Sequence, residues 1–397
     1  MIDASLALYV HMPWCVRKCP YCDFNSHQLK SGQPDGAYID ALLQDFDLEA
    51  PRLRGRRIDT VFFGGGTPSL FKPEEFARLL VALKERIDFA ADAEITLEAN
   101  PGTIERGRFL GYAEAGINRV SLGAQSFDAD ALKILGRIHV ADDTHRAVDE
   151  LKAAKLGNFN LDLMYALPGQ TLEAALRDVQ IACSLAPTHI SYYQLTLEPG
   201  TVFHSRPPVL PDEDAAWQIQ LEGQKLLAQA GYAQYEVSAY AKGGARCRHN
   251  LNYWLFGDYV GIGAGAHGKL SLELPNMILR TVKPKQPRDY QDHVARATAA
   301  ATATVPPLAP AAIAAIGEGG FIAAADLPFE FMLNALRLND GFSSDCYQAR
   351  TGLALNEVDT RLSDAQDRGL IEPILNGWRP TELGRRFLND LQAGFLA

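Results

Sequence analysis

This sequence lacks long hydrophobic runs, and its first residues do not resemble a secretory signal peptide. The longest apolar tract, 309–325, is mostly alanine and is interrupted by Gly317, Glu318, Gly319 and Gly320, so it is too short and too weakly hydrophobic to cross a bilayer. The first residues, Met-Ile-Asp-Ala-Ser, contain neither the basic segment nor the apolar segment of a secretory signal peptide. The sequence therefore predicts no membrane span and favours the cytoplasm.

Clustered positive charge is also lacking. The 397 residues include 38 Lys and Arg against 48 Asp and Glu, which gives a formal net charge of −10 at pH 7. Proteins whose main ligand is a nucleic acid neutralise phosphates with clustered Lys and Arg. The short arginine runs at 52–57 and 385–386 are more typical of solvated helix ends or loops. We therefore expect no nucleic-acid partner.

Cysteine is scarce, with six residues in the whole chain. Three of them lie far apart in the sequence and form no disulfide framework, as expected in a reducing compartment: Cys183, Cys247 and Cys346. The other three, Cys15, Cys19 and Cys22, form a C-x3-C-x2-C pattern directly after the apolar run 6–10. This placement is typical of a loop that leaves the end of a strand.

Three cysteines at this spacing indicate an iron–sulfur site. A [4Fe-4S] cluster normally takes four thiolates, so three of them leave one iron open. An open coordination position distinguishes reactive metal sites from structural ones, and a small chelating molecule could bind there. A zinc site that adds His11 or His27 is the alternative, although structural zinc sites usually pair two C-x2-C knuckles and this chain has one.

Short apolar runs alternate with amphipathic segments through the first half of the chain. The runs lie at 6–10, 60–63, 94–99, 119–122, 158–164 and 189–195, and the amphipathic segments at 38–49, 73–87, 103–115, 141–154 and 172–184. Six strand–helix units predict an α/β fold with a parallel sheet, a partial (β/α)6 barrel similar to a TIM barrel. Ligands of such sheets bind at the carboxyl ends of the strands.

Residues just after these runs are therefore candidates for one common site. Gly65, Gly66 and Thr67 follow the second run, where absent side chains let the backbone approach a ligand, although a tight turn explains the glycines equally well. Later units supply four polar side chains, at the end of the third run, after the fourth, in a helical stretch and in the fifth run: Glu98, Gln125, Arg137 and Asp162. Taken singly, each also suits an ordinary hydrogen bond or ion pair.

The cysteine spacing, preceded by Tyr-Val-His-Met-Pro, resembles the radical S-adenosylmethionine superfamily. In that superfamily the open iron binds S-adenosylmethionine, and an electron from the cluster cleaves the cofactor to a 5'-deoxyadenosyl radical. The order of motifs over nearly the whole chain resembles the oxygen-independent coproporphyrinogen III oxidase group. The resemblance implies that S-adenosylmethionine contacts Tyr9, Tyr21, Gly65, Gly66, Thr67, Glu98, Gln125, Arg137 and Asp162, with Thr196 a weaker candidate.

The chain departs from the true oxidases in two places. Their cluster loop continues with a further cysteine where this chain has Phe24, and the arm that precedes their first strand is missing. The resemblance is therefore to the sister branch, the heme chaperones, and oxidase activity is not expected. It implies heme as a ligand, an unidentified heme-accepting protein and an electron donor for the cluster. A coproporphyrinogen oxidase, or a radical enzyme with another substrate, is the alternative.

A second motif of that branch, His-Asn-Leu-Asn-Tyr-Trp, begins at His249. By the resemblance His249 is the axial heme ligand, since a neutral imidazole binds heme iron well, and Tyr253 and Trp254 pack on the porphyrin plane. Cys247 is an alternative ligand and His267 a second heme contact. A purely structural role for His249 and the two aromatic residues is equally open.

Three domains are predicted along the chain. Residues 1–295 form the partial barrel and its rim, 296–325 form a linker rich in alanine and proline, and 326–397 read as helix, helix, hairpin and helix. The last pattern predicts a small winged-helix-like α+β unit. Such a fold often binds DNA, but the fold alone does not establish that function and its acidic side chains oppose it. A cover over the barrel mouth or a docking face for a partner is expected instead.

Overall fold

The computed structural model describes residues 5–30, 36–53, 55–102, 107–272, 277–300 and 309–396. Its strands are β1 (Ser5–Met12), β2 (Trp14–Cys15), β3 (His27–Gln28), β4 (Arg57–Gly65), β5 (Asp88–Ala99), β6 (Arg119–Gln125), β7 (Phe159–Tyr165), β8 (His189–Gln194), β9 (Ala233–Gln234), β10 (Ala239–Ala241), β11 (Tyr259–Ile262), β12 (His267–Ser271), β13 (Ile278–Val282), β14 (Glu318–Phe321), β15 (Phe342–Ser343), β16 (Ile371–Ile374) and β17 (Gly377–Pro380).

The helices alternate with the first strands and then dominate the carboxyl-terminal part. They are α1 (Gly36–Glu49), α2 (Pro73–Lys84), α3 (Phe109–Glu114), α4 (Ala129–Ile134), α5 (Ala141–Ala153), α6 (Leu172–Ser184), α7 (Val202–Ser205), α8 (Glu213–Gln229), α9 (Arg248–Trp254), α10 (Pro287–Ala300), α11 (Pro310–Ala315), α12 (Leu327–Ala335), α13 (Ser344–Thr351), α14 (Asp359–Asp367), α15 (Glu382–Arg386) and α16 (Leu388–Ala393). No helix in the described ranges is both long and apolar enough to span a membrane.

The six predicted strands are adjacent and parallel in one sheet, in the order β1-β4-β5-β6-β7-β8. Strand β6 is buried along its whole length, and β1 and β7 are buried at all but two and one of their positions, because helices cover parallel strands and leave little face for water. The predicted α/β fold is confirmed. Of the segment expected to be helical at 103–115, only α3 is seen, and residues 103–106 lie outside the described ranges.

Further strands extend the sheet on both sides. Strand β11 pairs in parallel with β1, and β12, β13 and β14 continue from it in antiparallel fashion. On the far side β10 and β9 follow β8, also antiparallel. The sheet is open, with β14 and β9 at its edges. Strand β11 matters for function because it brings the glycine-rich stretch 261–268 beside the cysteine loop.

The carboxyl-terminal unit contains a three-stranded sheet, β15-β17-β16, packed with α12, α13, α14 and α16 around its own buried cluster. This α+β arrangement agrees with the predicted winged-helix-like unit. One additional helix, α13, precedes the predicted second one, and the predicted last helix is divided into α15 and α16. The predicted boundary at 295 falls inside α10 and part of the predicted linker, 301–308, lies outside the described ranges, so the domain boundaries stay predictions.

Candidate functional site

Three free cysteines follow β1: Cys15 is the last residue of β2, and Cys19 and Cys22 lie in the loop between β2 and β3. Each sulfur has one hydrogen-bonding neighbour: Thr67 Oγ1 lies 3.5 Å from Cys15 Sγ, Arg137 Nη1 lies 3.8 Å from Cys19 Sγ, and Ser26 Oγ lies 3.9 Å from Cys22 Sγ. Burial raises the pKa of the Cys15 and Cys22 thiols, so a metal must displace their protons. Hydrogen bonds to thiolates stabilise and tune an iron–sulfur cluster.

Both histidines of the alternative zinc site already make hydrogen bonds within the protein. His11 Nδ1 lies 2.9 Å from the Tyr9 hydroxyl, and His11 Nε2 lies 2.8 Å from the Asn25 carbonyl oxygen. His27 Nε2 lies 3.2 Å from Asn25 Oδ1. Within the described ranges, no set of three or more His, Cys, Asp or Glu side chains is arranged for a single metal ion. The three thiols fit a multi-iron cluster better, because each thiolate there binds a different iron.

A cavity of about 480 Å³ opens beside the three sulfurs, a size typical of small-molecule sites. Glu98 and Gln125, near the carboxyl ends of β5 and β6, line it together with Asp162 in the middle of β7. All but one of the other residues expected to contact S-adenosylmethionine also line this cavity. They are Tyr21, Gly65, Gly66, Thr67 and Arg137. The exception is Tyr9, which lines a neighbouring cavity, and Thr196 lines neither.

Two carboxyl groups give this cavity its electrostatic character. Burial, and then the charge of Asp162, raise the pKa of Glu98 to about 8, although the Gly65 amide donates to Glu98 Oε2 at 3.1 Å. Burial also raises the pKa of Asp162, although Asn160 and Ser121 donate to it at 2.7 and 3.1 Å. Two carboxyl groups with raised pKa values are stabilised in their charged form by a cation. The part of the cavity beside these two groups therefore suits positive charge, whereas Arg17, Arg119 and Arg137, which also line the cavity, suit a carboxylate.

The glycine loop, residues 65–67, packs against the segment that carries Cys15. The amides of Gly66 and Thr67 donate to the carbonyl oxygens of Met12 and Trp14 at 2.8 and 2.7 Å. A Cβ at Gly66 would lie 2.6 Å from the Trp14 carbonyl oxygen, so only glycine permits this approach. These amides are therefore used within the protein, and a contact between the backbone of the loop and a cofactor stays a prediction.

Gln125 and Arg137 are held in specific conformations. Gln125 has a φ of +65° where the pairing of β6 with β7 shifts register, and its Oε1 accepts a 2.6 Å hydrogen bond from Tyr193. Backbone strain in a non-glycine residue is common at functional sites. Arg137 donates to Asn100 and to the Gly123 carbonyl oxygen, while its buried Nε has no partner among the described residues. Arg137 Nη2 is thus already engaged within the protein, which leaves less of its guanidinium for a carboxylate of a ligand.

Several lining residues were missed from the sequence. One of them is Tyr193, which is hydrogen-bonded to Gln125. Four more polar residues line the cavity, and we call them the polar floor: Arg119, Asn160, His189 and Ser191. Arg119 is only 2% exposed and lies 4.0 Å from Glu94. Polar residues at alternate positions of otherwise apolar strands are the signal that could have revealed this floor, because alternate side chains of a strand point to the same face.

The candidate heme ligand His249 is buried in this structure. It is 1% exposed, its Nδ1 lies 2.9 Å from Thr60 Oγ1, and its Nε2 lies 3.1 Å from the Tyr253 hydroxyl. Burial lowers the pKa of His249 to about 3. The alternative Cys247 is equally buried, 3.8 Å from Glu94 Oε1. Iron ligation by His249 stays a prediction, and it requires one of these hydrogen bonds to break.

Comparisons with known proteins agree with this geometry. Residues 9–180 match the radical SAM superfamily and residues 322–387 match the HemN C-terminal domain. The chain is 47% identical over 392 residues to the heme chaperone HemW of Escherichia coli (99% of this chain, 98% of the relative) and 47% identical over 395 residues to that of Haemophilus influenzae (98% of each).

Similarity extends to a mitochondrial relative and to a solved structure. The radical S-adenosyl methionine domain-containing protein 1 of Mus musculus is 41% identical over 268 residues (66% of this chain, 60% of the relative). The structure of coproporphyrinogen III oxidase (HemN) from Escherichia coli, a radical SAM enzyme, aligns with a TM-score of 0.78 at 22% identity, covering 98% of this chain and 89% of that one. At this identity the match shows that the fold is shared.

Proposed function

Because the chain belongs to the heme chaperone HemW family of the radical SAM superfamily, we propose that it binds a [4Fe-4S] cluster, S-adenosylmethionine and heme, and that it delivers the heme to an acceptor protein. One observation carries the proposal: three free cysteines, each with one hydrogen-bonding neighbour, face a cavity with two carboxyl groups. That combination fits a cluster with an open iron beside a cationic ligand.

The residues of the cavity have distinct roles in this proposal. Cys15, Cys19 and Cys22 hold the cluster. Glu98 and Asp162 offset the positive charges of the sulfonium and ammonium groups, because a nearby cation favours the ionised carboxylate. When bound, S-adenosylmethionine would supply reductive carbon–sulfur cleavage at the open iron, and an electron donor would have to reduce the cluster first.

Heme carriage rests on the family rather than on the cluster site. The relatives named heme chaperone align along 98% of their length, so the proposal concerns the whole chain. A carrier must release its ligand, which requires a binding site that an acceptor protein can reach. The coproporphyrinogen oxidase alternative shares the fold, and it predicts a different product in the same assay.

The proposal is tested with full-length protein reconstituted anaerobically with iron and sulfide. The wild type should hold about four irons and four sulfides per chain, and S-adenosylmethionine should change the EPR spectrum of the reduced cluster. Cys19→Ser should lose most of this iron, because a hydroxyl is a poor replacement for a thiolate ligand. Cys183→Ser, a half-buried cysteine that lines neither cavity, is the matched control.

Heme binding and transfer are measured on the same preparation. The wild type should give a saturable heme spectrum and pass heme to an apo-hemoprotein, without consuming coproporphyrinogen III. A single zinc in place of the cluster would contradict the cluster assignment. Turnover of coproporphyrinogen III with no saturable heme spectrum would replace the chaperone proposal with the oxidase.

A further inference from the structure

A second cavity, of about 580 Å³, lies between the cysteine loop and strands β11 and β12. It is the cavity that Tyr9 lines, and it shares the side chains of Phe24, Ser26 and Glu98, together with Gly65, with the cluster cavity. Its volume falls within the range of about 300–1,000 Å³ that is typical of ligand sites. The described structure therefore contains a second ligand-sized space next to the cluster loop.

Three histidines line this second cavity, and they differ in their freedom to bind a metal. Both ring nitrogens of His11 are hydrogen-bonded, and His27 Nε2 faces Asn25 Oδ1 at 3.2 Å. His267, the first residue of β12, is exposed, and its ring makes no hydrogen bond to any described residue. An imidazole with a free nitrogen is a good ligand for heme iron.

The walls of the cavity suit a flat apolar ring. Four aromatic side chains line it: Tyr9, Phe24, Tyr253 and Tyr259. Phe24 is 60% exposed although it is a large apolar side chain. Aromatic faces stack on extended π-systems such as a porphyrin, and an exposed apolar side chain beside a cavity is often part of a binding site.

The rim supplies positive charge for carboxylate groups. Lys18 Nζ lies 3.2 and 3.4 Å from the carbonyl oxygens of Phe24 and Ser26, and Lys285 also lines the cavity and has no ion pair among the described residues. Two acidic residues, Asp23 and Glu98, also line the space, and Glu98 is the carboxyl whose pKa is raised to about 8. Two ammonium groups complement the two propionates of heme.

We propose that this second cavity is the heme site and that His267, rather than His249, is the iron ligand. The proposal rests on the proposed function, since it names where and how the chain holds its heme. His249 keeps both of its hydrogen bonds in this arrangement and supports Tyr253 from behind. Phe24 then separates heme from cluster, and the open cavity leaves the heme accessible to an acceptor protein.

The test is a heme titration of the reconstituted full-length protein, followed by absorption and by EPR of the ferric heme. His267→Ala should weaken heme affinity at least tenfold and change the heme spectrum, and added imidazole should restore that spectrum. His267→Cys should convert the spectrum to a thiolate-ligated type, because the new side chain offers a different ligand at the same place. Cluster absorbance should be unchanged in both variants.

His145→Ala is the matched control, because His145 is an exposed histidine on α5 that lines neither cavity. It should bind heme like the wild type. If His267→Ala and His267→Cys keep the affinity and spectrum of the wild type while His249→Ala loses them, the ligand assignment is overturned and the chaperone proposal stands. If the wild type gives no saturable heme spectrum, both proposals fail.

Discussion

At the residue scale, the same side-chain type has different chemistry in different places. His11 and His249 are buried with both ring nitrogens hydrogen-bonded, whereas His267 is exposed. Burial lowers the pKa of His11 to about 4 and that of His249 to about 3, so both imidazoles are neutral near pH 7. Neutrality alone does not make a metal ligand, because the nitrogen lone pair must also be free.

Glu98 gives a prediction at this scale. Its pKa is raised from 4.5 to about 8, so the folded protein binds more protons than the unfolded chain between these pH values. The stability that this group contributes is complete below about pH 4.5 and is lost as the pH rises through 8. Glu98→Gln should remove this dependence. We expect the stability difference between wild type and variant to change by about 1–2 kcal/mol between pH 5.5 and 7.5, which is less than the full linkage value because the carboxyl is partly solvated.

Urea denaturation of the cluster-free protein at several pH values measures this difference. Glu85→Gln, an exposed glutamate just after α2, is the control and should follow the wild type. A Glu98→Gln profile parallel to that of the wild type would show that Glu98 is ionised throughout the range.

At the element scale, the site depends on how the loops after β1 and β4 fit together. These strands are adjacent and parallel, and their pairing continues to Met12 and Gly65. Beyond that point the amides of Gly66 and Thr67 bond to the chain on either side of Pro13. Thr67 then reaches Cys15 Sγ. The glycine loop therefore positions the cysteine loop, in addition to lining the cavity.

Gly66→Ala should disrupt this fit. Its new Cβ would lie 2.6 Å from the Trp14 carbonyl oxygen and 2.9 Å from that of Met12, and because both are backbone atoms the loops must separate. We expect a loss of about 1–3 kcal/mol in the free energy of unfolding, together with a lower iron content after reconstitution. Gly157→Ala is the control, since no atom lies within 4 Å of its added Cβ. Equal iron content in the two variants would argue against a positioning role for the glycine loop.

At the scale of the whole molecule, the carboxyl-terminal unit is attached near the floor of the cluster cavity. Arg337 lies 4.2 Å above the Trp254 ring and its Nη2 lies 3.2 Å from Glu236 Oε2. The backbone amide of Asn339 donates to the Tyr235 carbonyl oxygen at 3.0 Å. The Tyr235 hydroxyl in turn lies 2.9 Å from Nε2 of the floor residue His189. Hydrogen bonds and packed rings thus connect the unit to the cavity.

Arg337→Ala should loosen this connection. It removes a cation–π contact and an ion pair with the largely buried Glu236, and we expect a loss of about 1–2 kcal/mol with faster amide hydrogen exchange in α9 and at 338–340. Arg379→Ala, which breaks a half-exposed pair with Glu372 in the hairpin, should leave exchange in α9 unchanged. Identical exchange in α9 for the two variants would show that Arg337 does not hold the unit in place.

Much of the fold and of the cluster cavity follows from the sequence alone. The cysteine spacing, the alternation of apolar runs and helices, and the polar residues Glu98, Gln125 and Asp162 in or just after successive runs are local features. Parallel strands bring their carboxyl ends to one edge, so residues at equivalent places in successive units meet without further information. For this reason most of the residues expected to contact S-adenosylmethionine line one cavity, with Tyr9 outside it, and their contact with the cofactor stays a prediction.

Only the tertiary structure decided which groups are free to react. It placed Phe24, Tyr253 and His267 around one cavity, although more than 200 residues separate Phe24 from the other two. It also engaged both nitrogens of His249 and raised the pKa of Glu98. Partners such as Thr60 for His249 and Gly65 for Glu98, and the groups that desolvate these side chains, are distant in the chain, and for this reason no local pattern could specify them.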